Sequence, residues 1–286
     1  MTESFPQPAR SHYVLSPAPW LGGCSDIGLR HSTNQDAMSL AVREAPTRAA
    51  VVAISDGVTT APGAEDASRL AAEAAAHRLV ELLDRGESPA TALHHAFDDA
   101  NSAVVRDREY PSACTLVAAV VHEASITVGS VGDSRAYWFG DDGAARQLST
   151  DDSMAQARIL LGMTREEAER SIQAHAITRW LGRDSTDWAP GVVDLAPDVL
   201  LHPGVILQGA TSVGEGAIIG PDTTLMDVEV GAGAEVVRTH GSFAVIGEGA
   251  QVGPFSYLRA LADDGERRSE ERRVGKECQS TCMPYH

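Results

Sequence analysis

An apolar residue recurs at intervals of six through the last third of the chain. The interval slips by one residue after Leu225, and residues 238–243 interrupt it as an apparent insertion. A six-residue period with small residues after the apolar position is typical of a parallel β-helix, in which each hexad supplies one strand and one corner. The repeat therefore predicts a short β-helix over residues 195–260. The repeated positions are Leu201, Leu207, Val213, Ile219, Leu225, Val230, Val236, Ile246, Val252 and Leu258.

Residues 20–194 have a different pattern, which mixes helices and strands. Ala50–Ser55 is an apolar run of strand length that ends at an Asp-Gly turn signal. Gly63–Arg85 has apolar residues at helical spacing, and Ser88 with Pro89 predicts the start of a second helix that runs to about Glu109. Strand, two helices and further strands predict an α+β layered domain. The further strands, expected to form an antiparallel meander, are Thr115–Val121, Ser125–Val131 and Arg135–Phe139.

The predicted organisation has four parts. Residues 1–19 form an N-terminal extension, 20–194 the α+β domain, 195–260 the β-helix and 261–286 a charged tail without apolar period, which we expect to be disordered. The two central parts meet near Val193–Asp198 without a linker rich in proline, glycine or serine.

Charge and composition exclude several classes of partner. The formal net charge of −17 disfavours nucleic acid and anionic membranes as partners, since both would repel an acidic surface. No stretch approaches the roughly 18 apolar residues of a membrane span, and the N-terminus lacks the order of a signal peptide, so a cytoplasmic location is expected. Four irregularly spaced cysteines do not predict a disulfide framework.

Acidic residues in the first half follow strands and turns, where their side chains can converge on a cation. Asp36 lies six residues after Arg30, Asp56 directly follows a buried strand and precedes Gly57, and Asp133 lies in a third turn. Hard divalent cations prefer oxygen ligands, and two close metals can activate a water molecule between them. An arginine can hold a phosphate bidentately.

In their order and spacing, the sequence segments around these residues resemble the motifs of the PPM (type 2C) metal-dependent serine/threonine protein phosphatases. The similar segments are Gly28–Ala37, Asp56-Gly57, Gly132–Arg135, Leu148–Gln156 and Ile177–Gly182. The resemblance implies a β-sandwich flanked by helices, and phosphoserine and phosphothreonine proteins as substrates. It also implies two or three Mn²⁺ or Mg²⁺ ions and a metal-bridging water as nucleophile.

The same resemblance implies a role for each matching residue. Arg30 would bind the substrate phosphate, Asp36 and Asp56 would bind the paired metals, and Gly57 would contribute its backbone carbonyl through water. Asp133 would bind the third metal. Three departures are visible. Asp152 stands where the family often has histidine, and Gln35 replaces an acidic residue that some members have before the aspartate. The family's two later metal-binding aspartates have no match after residue 182.

Residues 195–259 resemble a second family, the bifunctional uridyltransferase/acetyltransferase that makes UDP-N-acetylglucosamine. The resemblance implies a left-handed β-helix and places Arg259 at that family's sugar-nucleotide arginine. The preceding nucleotidyltransferase domain and the later coils with the catalytic histidine have no match, so a trimer is expected only of a complete β-helix. Three hypotheses follow: a phosphatase, an acyltransferase fragment or association module, and a chimeric chain without activity that joins two partial domains.

Overall fold

The computed structural model describes residues 12–29, 32–44, 47–106, 111–140, 145–259 and 273–274. Within these ranges the chain forms the following helices and strands. They are β1 (His12–Ala18), β2 (Leu21–Asp26), β3 (Asp36–Arg43), β4 (Ala49–Asp56), α1 (Ala64–Asp84), α2 (Pro89–Val105), β5 (Ala113–Cys114), β6 (Leu116–His122), β7 (Ser125–Val131), β8 (Tyr137–Phe139), β9 (Ala145–Gln147), α3 (Met154–Leu160), α4 (Arg165–Glu169), β10 (Leu181–Gly182), β11 (Gly191–Leu195), β12 (Leu200–Leu201), β13 (Ile206–Gln208), β14 (Thr211–Val213), β15 (Ile218–Ile219), β16 (Thr224–Val230), β17 (Glu235–Val236), β18 (His240–Ile246), β19 (Gln251–Val252), β20 (Tyr257–Arg259) and β21 (Arg273–Val274).

The chain divides into two compact units. The first contains the described residues up to 123 together with 129–135 and 151–190. The second contains residues 124–128 and 136–150 together with the described residues from 191 onward. No helix in the described ranges is long and apolar enough to span a membrane.

Strand β4 is the centre of the sheet in the first unit. It pairs antiparallel with β3 on one side and with β6 on the other. Helix α1 packs against β3, β4 and α2, and its buried residues include many small ones, with Ala67, Ala71 and Ala75 fully buried. Small side chains let the helix approach the sheet closely, while Phe97 of α2 supplies the largest fully buried side chain.

Both long helices begin where the sequence predicts, and α1 also ends there. Gly86 follows α1 with φ of 83°, a left-handed conformation that glycine adopts without strain. The hydroxyl of Ser88 accepts a hydrogen bond from the Thr91 backbone N–H at 3.2 Å and so caps α2. Helix α2 ends at Val105, four residues before the predicted end, and residues 107–110 lie outside the described ranges.

Removal of the Ser88 cap should weaken the protein measurably. We expect Ser88→Ala to lower the free energy of unfolding by about 1 kcal/mol, because the Thr91 N–H loses its acceptor. Ser88→Gly is the matched control and should cost only a few tenths of a kcal/mol, since glycine is itself a tolerated cap. Urea unfolding followed by circular dichroism measures both, and equal losses in the two variants would contradict the capping role.

The predicted meander is wrong at its last strand. Strand β8 does not continue it but forms an antiparallel hairpin with β9, in which Tyr137 pairs with Gln147. The short helices α3 and α4 were also not predicted. A signal for α4 is present in the sequence, since Thr164 and Glu167 form a reciprocal capping box.

The second unit contains a parallel β-solenoid, which confirms the β-helix predicted from the hexads. Its strands pair in parallel with a partner one coil away. The paired residues are 18 apart in the first coil, as in Leu200 and Ile218. Later spacings are 17 residues, as in Ser212 and Glu229, or 16 residues, as in Thr224 and His240. An 18-residue coil corresponds to three hexads, and the shortening accounts for the slip in the sequence period.

The repeated apolar residues form the core of the solenoid. Nine of the ten predicted positions are at most 7% exposed, and Leu258 in the last coil is half-buried. The insertion predicted at residues 238–243 is wrong, because β18 pairs in register with β16 through this segment. Gly241 lies opposite Leu225 there, so a regular coil is present whose inward position carries no side chain. Because Gly241 occupies an inward position, the sequence shows no apolar residue there, and the six-residue apolar period is interrupted.

The charged tail lies mostly outside the described residues. Arg273–Val274 is the exception to the predicted disorder, since it forms β21, which pairs parallel to β18. Strand β1 falls within the stretch predicted as an N-terminal extension and pairs antiparallel with β2.

Candidate active site

Two predicted carboxylates meet at the end of one strand pair. In the antiparallel register of β3 and β4, Asp36 lies directly opposite Asp56. Side chains of directly opposite residues project to the same face at about 5 Å between their Cβ atoms. The strand pairing therefore brings two aspartates that are 20 positions apart in the sequence together as one acidic pair.

The environment of this pair disfavours the charged form of Asp56. Burial of its carboxyl group raises the pKa of Asp56 to about 7, and the neighbouring Asp36 adds to the shift through its charge and a hydrogen bond. The charge of Asp133 raises it further, although Asp56 as a residue remains accessible to solvent. A bound hard cation would offset the burial of the Asp56 carboxylate and the charge of Asp36 opposite it.

Gly57 follows Asp56 at a point where no side chain fits. A Cβ atom at this position would lie 2.4 Å from the carbonyl oxygen of Ala64 in α1. The Gly57 N–H donates to the Gln35 carbonyl at 3.0 Å, which links the residues directly after β4 and directly before β3. This close approach allows the strand to turn immediately after Asp56.

Asp133 lies in a turn that is fixed by its neighbours. Gly132 has φ of 99°, and its N–H donates to the Asp152 carboxylate at 3.0 Å. The Asp152 N–H in return donates to the Gly132 carbonyl at 2.8 Å. Burial raises the pKa of Asp133, and the nearby charge of Asp151 acts in the same direction. The turn therefore presents a third carboxylate close enough to Asp56 to affect its ionisation.

Arg179 supports Asp152 from the other side. Its Nη1 donates to both Asp152 carboxylate oxygens at 3.4 Å, and its Nε lies 3.0 Å from Asp187. Burial raises the pKa of Asp152, against the opposing effect of the Gly132 N–H and Arg179. Sequence reasoning identified Asp152 only as a departure from the family and missed its use as a backbone acceptor.

Loss of Arg179 should leave the partly buried carboxylate of Asp152 without its positively charged partner. We expect Arg179→Met to lower the free energy of unfolding by about 2 kcal/mol at pH 8, less than for a fully buried pair. The loss should shrink as the pH falls through the raised pKa of Asp152, because protonation removes the unpaired charge. Urea titrations at pH 5 and pH 8 measure the difference.

Two further variants test whether the unpaired charge of Asp152 causes this loss of stability. Arg179→Met combined with Asp152→Asn should recover part of the stability at pH 8, since the partly buried charge of Asp152 is then also removed and the other partner, Asp187, is exposed. Arg170→Met, which removes an exposed pair with Glu166, should change stability by less than about 0.5 kcal/mol. A loss for Arg179→Met that does not vary with pH would contradict the charge argument.

A cleft of about 220 Å³ opens beside Asp133 in the first unit. Arg135, which follows in the same turn, forms an ion pair there with the largely buried carboxylate of Asp151. The cleft gives solutes access to the third carboxylate. Its other lining residues are Ser153, Ala155, Gln156, Ile159, Arg165, Glu169 and His175.

The predicted site residues are thus brought together in part. Asp36, Asp56 and Gly57 adjoin one another, and Asp133 lies within electrostatic reach of Asp56. Arg30 lies outside the described residues. Across the part of the chain that the structure describes, no group of three or more His, Cys, Asp or Glu side chains is placed to hold a metal ion. The oxygen ligands of the Asp36–Asp56 pair fit a divalent cation by their chemistry.

Arg259 belongs to the second unit. It lies on β20 opposite Ser242 of β18, and its side chain is exposed. Its neighbour in the strand two residues earlier, Tyr257, stacks on His240 with ring centroids 5.2 Å apart. This end of the solenoid thus carries an arginine beside an exposed aromatic pair.

Comparison with known proteins assigns the first region to a family. The family model described as Protein phosphatase 2C matches residues 29–184, more than half of the chain. The chain therefore belongs to the protein phosphatase 2C family. The crystal structure of the serine/threonine phosphatase Stp1 from Staphylococcus aureus shares its fold, with a TM-score of 0.50 and 22% identity over 64% of this chain and 70% of that one.

The C-terminal part of the chain is similar to part of a different protein. Bifunctional protein GlmU of Kineococcus radiotolerans is 58% identical over 91 residues, which are 32% of this chain and 18% of that protein. Bifunctional protein GlmU of Rhodococcus jostii is 50% identical over 116 residues, which are 41% of this chain and 23% of that protein. The chain thus spans about a fifth of the length of these relatives.

Proposed function

We propose that the chain is a metal-dependent phosphomonoester hydrolase that acts on phosphoserine and phosphothreonine in proteins. The observation that carries the proposal is the opposed pair Asp36 and Asp56, whose mutual repulsion a divalent cation would relieve. Membership of the protein phosphatase 2C family supports it. In this proposal Arg30 holds the substrate phosphate.

The carboxylates would bind Mn²⁺ or Mg²⁺. Asp36 and Asp56 would hold the paired site with the Gly57 backbone, and Asp133 would hold a further ion. A related protein, the phosphatase PstP, has been crystallised with two manganese ions. Bound metal would supply an activated water at neutral pH. The chain itself orients the carboxylates through strand register and provides the cleft beside Asp133 as a route for the phosphorylated side chain.

Hydrolysis of p-nitrophenyl phosphate by the full chain, with and without manganese, tests this function. We expect turnover that requires manganese and is lost in Asp56→Ala. Phosphoserine and phosphothreonine peptides should also be hydrolysed, and phosphotyrosine peptides serve as the comparison. Turnover in manganese no higher than that of Asp56→Ala would overturn the proposal for this chain.

A second candidate function is favoured by the solenoid. Residues with 58% identity to part of Bifunctional protein GlmU, together with exposed Arg259 at the end of the solenoid, support binding of a sugar nucleotide. We expect calorimetry with UDP-N-acetylglucosamine to detect binding that Arg259→Ala weakens. Absence of binding would leave an association module as the role of this region.

The organisation we propose is a join of two partial domains, the first ending near residue 194 and the second near residue 260. The separate similarities to a phosphatase and to GlmU support this proposal. Sequencing of genomic DNA across Val193–Asp198 tests it. A contiguous and reproducible reading frame there would overturn an artificial join.

A further inference from the structure

Thr115 lies between β5 and β6 and contacts both acidic segments of the candidate site. It is 2% exposed, and its hydroxyl accepts a hydrogen bond from the Asp56 backbone N–H at 3.1 Å. The same hydroxyl shares a hydrogen bond with the Ser134 hydroxyl at 2.7 Å. One side-chain oxygen therefore joins the strand that carries Asp56 to the turn that carries Asp133.

The backbone of Thr115 strengthens the first of these links. Its N–H donates to the Asp56 carbonyl at 2.8 Å, so Asp56 is held by Thr115 through both its N–H and its carbonyl. The Ser55 hydroxyl donates to the Thr115 carbonyl at 2.6 Å. Three hydrogen bonds thus fix Thr115 against residues 55–56.

The methyl group of Thr115 restrains the second segment. A Cβ atom on Gly132 would lie 2.5 Å from Thr115 Cγ2, so the backbone of the turn runs directly against this methyl group. Hydroxyl and methyl together fix the residues on either side of Asp133. Neither part alone would define the position of the turn, because the hydroxyl reaches Ser134 and the methyl group reaches Gly132.

We propose that Thr115 is a positioning residue that sets the distance of the Asp133 turn from the Asp36–Asp56 pair. The inference rests on the proposed role of these carboxylates as metal ligands. Oxygen ligands must lie within a narrow range of distances around a hard cation, so a shared anchor for two ligand-bearing segments controls the affinity of the site.

Two substitutions separate the hydroxyl from the shape of the side chain. Thr115→Val keeps the branched shape and removes the hydroxyl, whereas Thr115→Ser keeps the hydroxyl. Thr223→Val is the matched control in the solenoid, since Thr223 is fully buried and its hydroxyl also accepts from a backbone N–H, that of Thr239 at 3.4 Å. All variants are made in the full chain.

Amide hydrogen exchange in EDTA provides a readout that does not require activity. In Thr115→Val we expect exchange about fivefold to tenfold faster at Asp56 and in residues 132–134, with helix α1 unchanged. The manganese dissociation constant should rise about tenfold. Thr115→Ser keeps the hydroxyl but loses the methyl group, so exchange at Asp56 should remain within twofold of the unsubstituted chain, and exchange in residues 132–134 should rise less than in Thr115→Val. Thr223→Val should leave both segments unaffected.

Each outcome decides the inference. Unchanged exchange in both segments, or a rise spread equally over α1, would overturn it, because Thr115 would then have either no role or a general structural one. If the unsubstituted chain binds no manganese while Thr115→Val still loosens both segments, the proposed metal function fails and the coupling by Thr115 stands. If Thr115→Val does not fold, Ser134→Ala replaces it, and unchanged exchange in residues 132–134 would overturn the inference.

Discussion

Replacement of Asp56 by asparagine should make the protein more stable in EDTA and less stable in manganese than the unsubstituted chain. At pH 8 the folded chain without metal holds two opposed carboxylates whose repulsion the unfolded chain does not experience. Asparagine removes that repulsion with almost no change in shape. Because solvent reaches the pair, we expect a gain of about 1 kcal/mol, or about 2–4 °C in melting temperature.

The sign of the pH dependence follows from the direction of the pKa shift. The pKa of Asp56 is raised to about 7 in the folded chain, so between about pH 4 and pH 7 the folded state binds more protons than the unfolded state. The unsubstituted chain in EDTA should therefore lose stability as the pH rises through this window. Asp56→Asn should lack that loss.

In manganese the unsubstituted chain should be more stable than Asp56→Asn, the reverse of the order in EDTA. A ligand at 100 times its dissociation constant stabilises the folded state by about 2.7 kcal/mol, and Asp56→Asn should lose most of this gain together with manganese-dependent hydrolysis. Thermal melts of both proteins in EDTA and in manganese measure this change in the order of their melting temperatures. Asp184→Asn, at an exposed aspartate of the same unit, should behave like the unsubstituted chain. Parallel shifts of Asp56→Asn and Asp184→Asn in both buffers would contradict a metal site at the pair.

Truncation of Leu225 should have the largest effect on the stability of the solenoid. Leu225 is fully buried, and its paired neighbour in the next coil is Gly241, which has no side chain to fill a void. The Cδ2 atom of Leu225 lies only 3.0 Å from the position of a Cβ on Gly241, so this one side chain occupies the space of two. We expect Leu225→Ala to cost about 4–5 kcal/mol, near the upper end for such substitutions.

Ile206→Ala is the matched control for that prediction. Ile206 lies on β13, immediately before the inward-facing Leu207, and is 36% exposed. Its truncation should cost about 1 kcal/mol or less. Urea unfolding resolved by hydrogen exchange in residues 200–259 measures both variants separately from the first unit. A loss below about 2 kcal/mol for Leu225→Ala would contradict the account of the coil around Gly241.

The solenoid shows how far a repeat in the sequence determines structure. Each hexad is a local unit whose apolar residue faces inward, so the period alone predicted the core residues, and nine of the ten are almost fully buried. The period failed at Gly241, because a position without a side chain gives no apolar signal although the backbone continues the same coil. Helix starts such as Ser88 were likewise predictable, since capping depends on residues three positions apart.

The candidate active site was likewise predictable from the sequence only in part. The sequence alone supplied the acidic residues and the turns that carry them, because an aspartate after an apolar run and before a glycine is a local pattern. Only the tertiary structure decided that Asp36 lies opposite Asp56, that Asp152 holds the Gly132 N–H, and that Thr115 joins the segments of Asp56 and Asp133. These contacts depend on strand register and on the meeting of turns far apart in the chain. No short-range pattern encodes either, which is the physical reason that the residues were visible beforehand and their arrangement was not.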